Sequence, residues 1–245
     1  MSPISIKPDF CYQLHVVSLD DDTHVSTSSN LPIVTEEIYK SIDYPIDTLI
    51  VSGISYLPDF RVSPEALQWI NDQSKVVRRI CSVCTGAFLL AEAGILNGKN
   101  ATTHWQLCEK LAELYPEIDV EIAPYFVKSS NIYTSAGISS GMDLNLALIE
   151  EDMGKSFALQ IAKCMVLFLK RSGNQLQYSN LLEYQEITNL SIRKACEWLQ
   201  NHFDEYLLIE RLAEQVSMSP RNFARVFSSR IKNYSCKIYR PFKDR

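Results

Sequence analysis

Short apolar segments alternate with amphipathic segments from residue 13 to residue 170. The apolar segments have the length of buried strands, and the amphipathic segments repeat apolar residues at the spacing of a helix. The predicted strands are residues 13–19, 47–52, 76–83 and 100–103, followed by a hairpin of residues 125–128 and 132–135. The predicted helices are residues 64–71, with Ser63 as N-cap, 85–93, 105–115, 142–151 and 155–170. This alternation predicts an α/β fold with a mostly parallel sheet covered by helices on both faces.

The pattern changes after residue 170. Residues 171–178 are polar, contain a glycine and show no apolar period, which is typical of a linker. Beyond them the pattern is only helical, with predicted helices at 187–202, at 209–216 and from Pro220 onward. The chain of 245 residues is long enough for two unequal domains. We therefore predict an α/β domain at 1–172, a linker at 173–182 and a small all-α domain at 183–245.

Composition predicts a cytoplasmic location, away from membranes. No apolar run approaches the roughly 18–20 residues that a membrane span needs, and the N-terminus lacks the order of a signal peptide. The seven cysteines follow no framework spacing, which fits a reducing compartment better than a disulfide scaffold.

The charge is unevenly distributed along the chain. The whole chain carries a net charge of −5, yet the segment from Ser217 onward contains eight Lys and Arg residues and only one acid, Asp244. Duplex DNA requires a local basic face rather than a basic whole protein. Short basic tails are also common on proteins that bind no nucleic acid, so charge alone leaves both interpretations open.

Cys84 lies where a predicted strand runs directly into a helix. Small neighbours at Ser82 and Gly86 permit a sharp turn there, and the helix start directs N–H groups toward the sulfur. His104 ends the next strand, and adjacent strand ends of a parallel sheet share one crevice. The sequence therefore predicts a Cys84/His104 pair, with a ligand pocket formed by Gly53, Thr85 and Gly86.

Less specific interpretations of these residues are available. A lone cysteine is usually a small buried apolar residue, and a lone histidine near an apolar segment is more often structural. Cys81 and Cys84 form C-x-x-C, but no second pair completes a zinc site, so we predict neither a metal nor another cofactor. We expect Cys164 and Cys196 to be buried on helix faces and Cys84 to be the most reactive cysteine.

The sequence around Cys84 resembles the ThiJ/PfpI branch of the class I glutamine-amidotransferase-like superfamily. The matching segments are SVCTGAFLLA at 82–91, Gly94, Leu96, ATTHW at 101–105, TSAG at 134–137, Asp143 and EED at 150–152. This resemblance covers residues 13–170 and implies a flavodoxin-like sandwich. It also implies that Cys84 and His104 take part in hydrolysis, hydration or sensing.

The first strand and helix of that family have no counterpart in the residues before Gln13. In the family, that segment supplies an acidic residue that approaches the cysteine. A thiolate nucleophile needs a base and usually a third group that orients it. We therefore expect little or no turnover, and we predict that the protein is not an enzyme.

The last predicted helix has an apolar face of Phe223, Val226, Phe227 and Ile231, and its opposite face is polar. A short turn followed by a capped helix with Arg and Asn on its outer face is what a major-groove reader requires. An ordinary small bundle with a solvated face gives the same pattern. The candidate DNA contacts are Ser219, Arg221, Asn222, Arg225, Ser229 and Lys232.

This region resembles the first helix-turn-helix of the AraC/XylS regulators. The matching residues are Leu212, Ala213, Val216, MSPR at 218–221, Phe223, AR at 224–225 and Phe227. The second helix-turn-helix of that family has no counterpart after Ile231. Together with the α/β domain, the resemblance points to GlxA-type regulators, here truncated at both ends.

The two resemblances imply a sequence-specific transcriptional regulator with a ligand- or redox-sensing domain. Its expected partners are double-stranded DNA, a small-molecule effector and a second copy of the chain in a homodimer. The alternative is a cysteine-dependent ThiJ/PfpI-type enzyme with an isonitrile-hydratase-like or related hydrolytic activity.

Overall fold

The computed structural model describes residues 12–27, 29, 31–54, 62–167, 189–200 and 209–231. The chain forms two compact units, residues 1–177 and residues 178–245. The predicted linker at 173–182 lies outside the described residues, so the exact domain limits stay a prediction.

Strands and helices alternate through much of the first unit. Its strands are β1 (Val17–Ser18), β2 (His24–Ser26), β3 (Pro32–Val34), β4 (Glu37–Ile38), β5 (Thr48–Val51), β6 (Arg79–Val83), β7 (Asn100–Ala101), β8 (Asp119–Val120), β9 (Phe126–Ser129) and β10 (Ile132–Ser135). Its helices are α1 (Pro64–Ser74), α2 (Gly86–Glu92), α3 (Cys108–Leu114), α4 (Ile138–Met153) and α5 (Lys155–Cys164). Ser63 caps α1 as predicted, because its hydroxyl accepts a hydrogen bond from the Ala66 N–H at 3.1 Å.

The central sheet has the strand order β5-β6-β10-β9. Strands β5, β6 and β10 are parallel, and β9 pairs with β10 as the antiparallel hairpin that the sequence predicts. Neighbouring residues of a strand face opposite sides of a sheet. On β6, Ile80 packs into the core formed with α1 and α2, whereas Cys81 packs against Leu144 and Leu148 of α4. Helices therefore cover both faces, and the predicted flavodoxin-like α/β fold is confirmed.

The predicted strand at residues 13–19 is wrong in extent. Only Val17–Ser18 forms a strand, and it pairs in parallel with β4 rather than joining the central sheet. Leu14 and Val16 are 81% and 54% exposed, so the apolar run at this point is not a buried strand.

Two helix boundaries differ from the prediction by four residues or more. Helix α4 begins at Ile138, four residues before the predicted start. The prediction missed the first turn because the small residues Ser139, Ser140 and Gly141 interrupt its apolar period. Helix α5 ends at Cys164 rather than residue 170. Val166 there adopts a φ of 55°, in the left-handed region that an α-helix does not continue through.

An ion-pair cluster ties α4 to the beginning of β6. The buried guanidinium of Arg79 pairs with Asp152, which also accepts hydrogen bonds from Arg78 at 2.7 Å and from the Tyr12 hydroxyl at 2.6 Å. Burial opposes the ionised form of Asp152, but these hydrogen bonds outweigh burial and hold its pKa well below the usual range. The cluster lies at the N-terminal end of β6, whereas Cys84 follows its C-terminal end.

The described part of the second unit is helical: α6 (Leu190–Gln200), α7 (Ile209–Gln215) and α8 (Pro220–Ile231). The core contains Ile192 and Ala195 of α6, Leu212 and Ala213 of α7, and Phe223 and Phe227 of α8. A tight turn joins α7 to α8, with Ser217 at a φ of 53° and the Met218 N–H donating to the Ala213 carbonyl at 2.8 Å. Two short helices joined in this way form a helix-turn-helix arrangement.

Candidate functional sites: a cysteine turn and a basic helix face

Cys84 occupies a sharp turn between β6 and α2. Its φ of 55° is unusual for a residue with a side chain, and such conformations persist only where the surroundings hold them. The Cys84 N–H donates to the Ser135 carbonyl at 2.9 Å, and its carbonyl accepts from the Thr103 hydroxyl at 2.8 Å. The turn is therefore fixed from two sides by residues that follow β7 or end β10.

The predicted pocket residues lie around this turn, where packing is close. A Cβ atom on Gly86 would lie 2.5 Å from the Val51 carbonyl oxygen, so only glycine fits there. A Cβ on Gly53 would lie 3.2 Å from the Cβ of Cys84. The Thr85 hydroxyl donates to the Ile54 carbonyl at 2.6 Å and accepts from the Ile54 N–H at 2.8 Å. Thr85 and Gly86 thus join the end of β5 to the turn.

His104 is half-buried beside the cysteine turn, directly after the residue that bonds the Cys84 carbonyl. It follows β7, which pairs with β8 and not with the central sheet, so the prediction that His104 ends an adjacent strand of the same sheet is wrong. Its ring faces Gly137, where an added Cβ would lie 3.4 Å from the imidazole Cδ2. Among the described residues, no hydrogen bond joins the Cys84 sulfur to the His104 ring. The structure therefore links the predicted pair through Thr103, without the hydrogen bond that a nucleophile and its base require.

Sequence reasoning gave little weight to the residues around this pair. Thr103, Ser135 and Gly137 follow or end neighbouring strands and fix the positions of Cys84 and His104. Their position at or just after the ends of predicted strands was the available signal.

The other cysteines differ in accessibility. Burial raises the pKa of the Cys81 thiol to about 12 and also raises the pKa of Cys108. The expectation that Cys164 is buried is wrong, because it is exposed near the end of α5. The side chain of Cys196 lies outside the described residues. Within the described part of the chain, no cluster of three or more His, Cys, Asp or Glu residues could hold a metal ion.

Helix α8 carries the basic face of the second unit. The Ser219 hydroxyl caps it by accepting from the Asn222 N–H at 3.4 Å, and Phe223 and Phe227 are buried on its inner side. Arg221, Asn222 and Arg225 are exposed.

The exposed side chains of Asn222 and Arg225 are bonded to each other. Arg225 Nη2 donates to Asn222 Oδ1 at 2.8 Å. Neither Arg221 nor Arg225 pairs with a carboxylate among the described residues. The side chain of Ser229 and all of Lys232 lie outside the described residues, so their predicted DNA contacts stay predictions.

The fold and the cysteine turn define a protein of the DJ-1/PfpI class. The chain belongs to the DJ-1/PfpI family, whose sequence profile matches residues 8–151. A crystal structure of a ThiJ/PfpI family protein from Pseudomonas syringae has the same fold, with a TM-score of 0.56 and 20% identity over 84% of this chain and 79% of that one.

Two curated relatives indicate two kinds of activity. The HTH-type transcriptional regulator CdhR of Pseudomonas aeruginosa is 25% identical over 228 residues, which cover 93% of this chain and 67% of the relative. The isonitrile hydratase of Pseudomonas putida is 32% identical over 143 residues, which cover 58% of this chain and 60% of the enzyme. The similarity to the regulator extends beyond the DJ-1/PfpI region, whereas the match to the enzyme spans a shorter part of the chain. No helix in the described residues is long and apolar enough to span a bilayer.

Proposed function

We propose that the protein is a transcriptional regulator that binds double-stranded DNA through α8. The observation that carries this proposal is the exposed face of Arg221, Asn222 and Arg225, opposite the buried Phe223 and Phe227. Residues 217–231 contain no Asp or Glu, so the face keeps its positive charge. The similarity to a helix-turn-helix regulator over 93% of this chain supports the same function.

The chemistry of α8 suits the major groove. A recognition helix presents its N-terminal residues to base edges, and an Arg side chain can bond guanine O6 and N7 together. Arg221 lies in the first turn of α8 and Arg225 one turn further on, so both side chains project from one side. Neither guanidinium is neutralised by a carboxylate in the described residues. Both therefore have N–H donors to offer to DNA, beyond the one that Arg225 donates to Asn222.

Selection from fragmented genomic DNA tests this proposal. The purified full chain is expected to enrich a defined site, and Arg221→Ala and Arg225→Ala should each weaken binding to it by about 5- to 150-fold. Lys194→Ala removes one exposed positive charge from α6 and is the matched control, expected to bind within about threefold of wild type. Equal binding by wild type and both Arg variants would overturn the assignment of α8.

We infer that the first unit is a sensing domain, with its effector site beside Cys84 and His104. Ligands of parallel α/β sheets bind beyond the carboxyl ends of the strands, where both residues lie. Sensing requires only that an effector, or oxidation of the thiol, favours one of two states of the protein. The proposed partners of the protein are a small-molecule effector, double-stranded DNA and a second copy of the chain. Its expected location is the cytoplasm.

A cysteine-dependent enzyme is the second candidate function. The φ of 55° at Cys84 and the similarity to an isonitrile hydratase favour it. Among the described residues, no hydrogen bond joins the Cys84 sulfur to His104, which argues against an enzyme. Loss of a proton-transfer group commonly lowers rates by about 10²- to 10⁴-fold. A turnover screen with isonitriles, α-oxoaldehydes and small amides, run beside Cys84→Ser, separates the two. Robust turnover that requires Cys84 would establish the enzyme.

A further inference from the structure

We infer that Asn222 positions Arg225 and does not read a base of its own; this inference rests on the proposed DNA-binding function. The two residues lie three apart on α8, a spacing that places their side chains side by side on one face. Arg225 Nη2 donates a hydrogen bond to Asn222 Oδ1 at 2.8 Å. Asn222 is one of the DNA contacts predicted from the sequence, and this hydrogen bond assigns it a positioning role instead.

An asparagine that reads adenine uses both ends of its amide. The NH₂ group donates to N7 while the carbonyl oxygen accepts from the N6 amino group. Here the carbonyl oxygen accepts from the guanidinium of Arg225, which leaves the amide oriented toward a neighbouring side chain. The oxygen has a second lone pair, so an adenine would share this acceptor with Arg225 rather than find it free, and the contact with Arg225 is already made without DNA.

The same contact leaves Arg225 able to read guanine. A guanidinium has five N–H donors, and Nη2 carries two of them. One Nη2 hydrogen is directed to Asn222, so the second remains with those of Nη1 for a bidentate contact to O6 and N7. Asn222 thus holds the guanidinium in one orientation, and this contact uses only one of its five N–H donors.

The N-terminal cap of α8 holds the backbone of Asn222 in place. The Asn222 N–H is bonded to the Ser219 hydroxyl at 3.4 Å, so the backbone that carries the amide is held in the first helical turn. Arg221 has no comparable side-chain partner in the described part of α8. The chain therefore contains a held and an unheld arginine on the same face, and Arg221 is an internal comparison for Arg225.

Side-chain ¹⁵N relaxation in the free full chain tests the positioning without DNA. The guanidinium of Arg225 is expected to be more ordered than that of Arg221 in wild type and to become as mobile as Arg221 in Asn222→Ala. Equal mobility of the two arginines in wild type would overturn the inference, whatever the protein binds.

Binding to a panel of single-base variants of the selected site gives the second readout. Asn222→Ala should reduce discrimination about two- to tenfold at the base pair that Arg225→Ala affects, and at no other pair. In the double variant the two effects should not add, because Asn222 acts through Arg225. Asn222→Asp keeps the acceptor oxygen, so it should retain this base preference while overall affinity falls through the added negative charge.

The outcomes separate the two proposals. If Arg225→Ala changes no base preference, the proposed reading face is wrong. If Arg225→Ala relaxes one base pair but Asn222→Ala relaxes a different one, and the two losses add, Asn222 reads its own base and the positioning role is wrong. Unchanged discrimination in Asn222→Ala, beside a clear effect of Arg225→Ala, also overturns the positioning role.

Discussion

Replacing Gly86 by alanine tests directly how the cysteine turn is packed. An added Cβ would lie 2.5 Å from the Val51 carbonyl oxygen and 2.7 Å from that of Ser52. Both atoms belong to the backbone at the end of β5, so no side-chain rotation can relieve the overlap. Forcing an extra carbon into a filled site costs about 1–3 kcal/mol or more. A loss of that size lowers the melting temperature by about 2–4 °C per kcal/mol in a domain of this size.

The assay is urea unfolding monitored by circular dichroism, with Gly137→Ala as the matched control. A Cβ on Gly137 would meet the His104 ring at 3.4 Å, an ordinary contact distance, so this variant should be close to wild type in stability. The Gly86→Ala variant should also change the rate at which iodoacetamide labels Cys84, because the turn must shift. A Gly86→Ala protein as stable as wild type would refute the packing described for this turn.

Three further outcomes are expected from other parts of the first unit. Asp152→Asn should destabilise the unit by about 1–3 kcal/mol, measured by urea unfolding, since it leaves the buried guanidinium of Arg79 with only the more distant Glu151, at 3.9 Å, as a carboxylate partner. Because the folded-state pKa of Asp152 is depressed, its contribution is complete above pH about 4 and is lost as the pH falls below that value. The urea midpoint of wild type should therefore fall below pH 4 more steeply than that of Asp152→Asn, and parallel curves would exclude this role. Peptide mapping after iodoacetamide at neutral pH should find label on Cys84 and Cys164 but not on Cys81, whose pKa is raised to about 12; early labelling of Cys81 would contradict its burial.

The sequence predicts most reliably those elements whose pattern and packing agree. The hairpin of β9 and β10, the Ser63 cap and the strand-to-helix turn at Cys84 each combine apolar residues with a local signal at the position that the fold requires. The helix-turn-helix of α7 and α8 is of the same kind, since the residues that face inward in the pattern form the core.

Other features depend on tertiary contacts that no local pattern contains. The hairpin of β2 and β3 went unpredicted because its strands are short and mostly exposed. Residues 13–19 were overextended because an apolar run indicates a strand only where a neighbour buries it, and Leu14 is exposed. Spacing along the chain likewise predicted that Cys84 and His104 follow adjacent strands of one sheet, whereas β7 pairs with β8 and lies outside the central sheet.

The specificity of binding to the selected site tests the central claim most directly. A protein that reads DNA with α8 should bind the site at least about 10³-fold more tightly than random duplex at physiological salt. Because an arginine that reads guanine discriminates between bases, Arg221→Ala and Arg225→Ala should each lower that ratio by about 5- to 150-fold and relax one base pair of the site, with little change in binding to random duplex. Wild-type binding that does not distinguish the site from random duplex, or a ratio that both variants leave unchanged, would contradict the account.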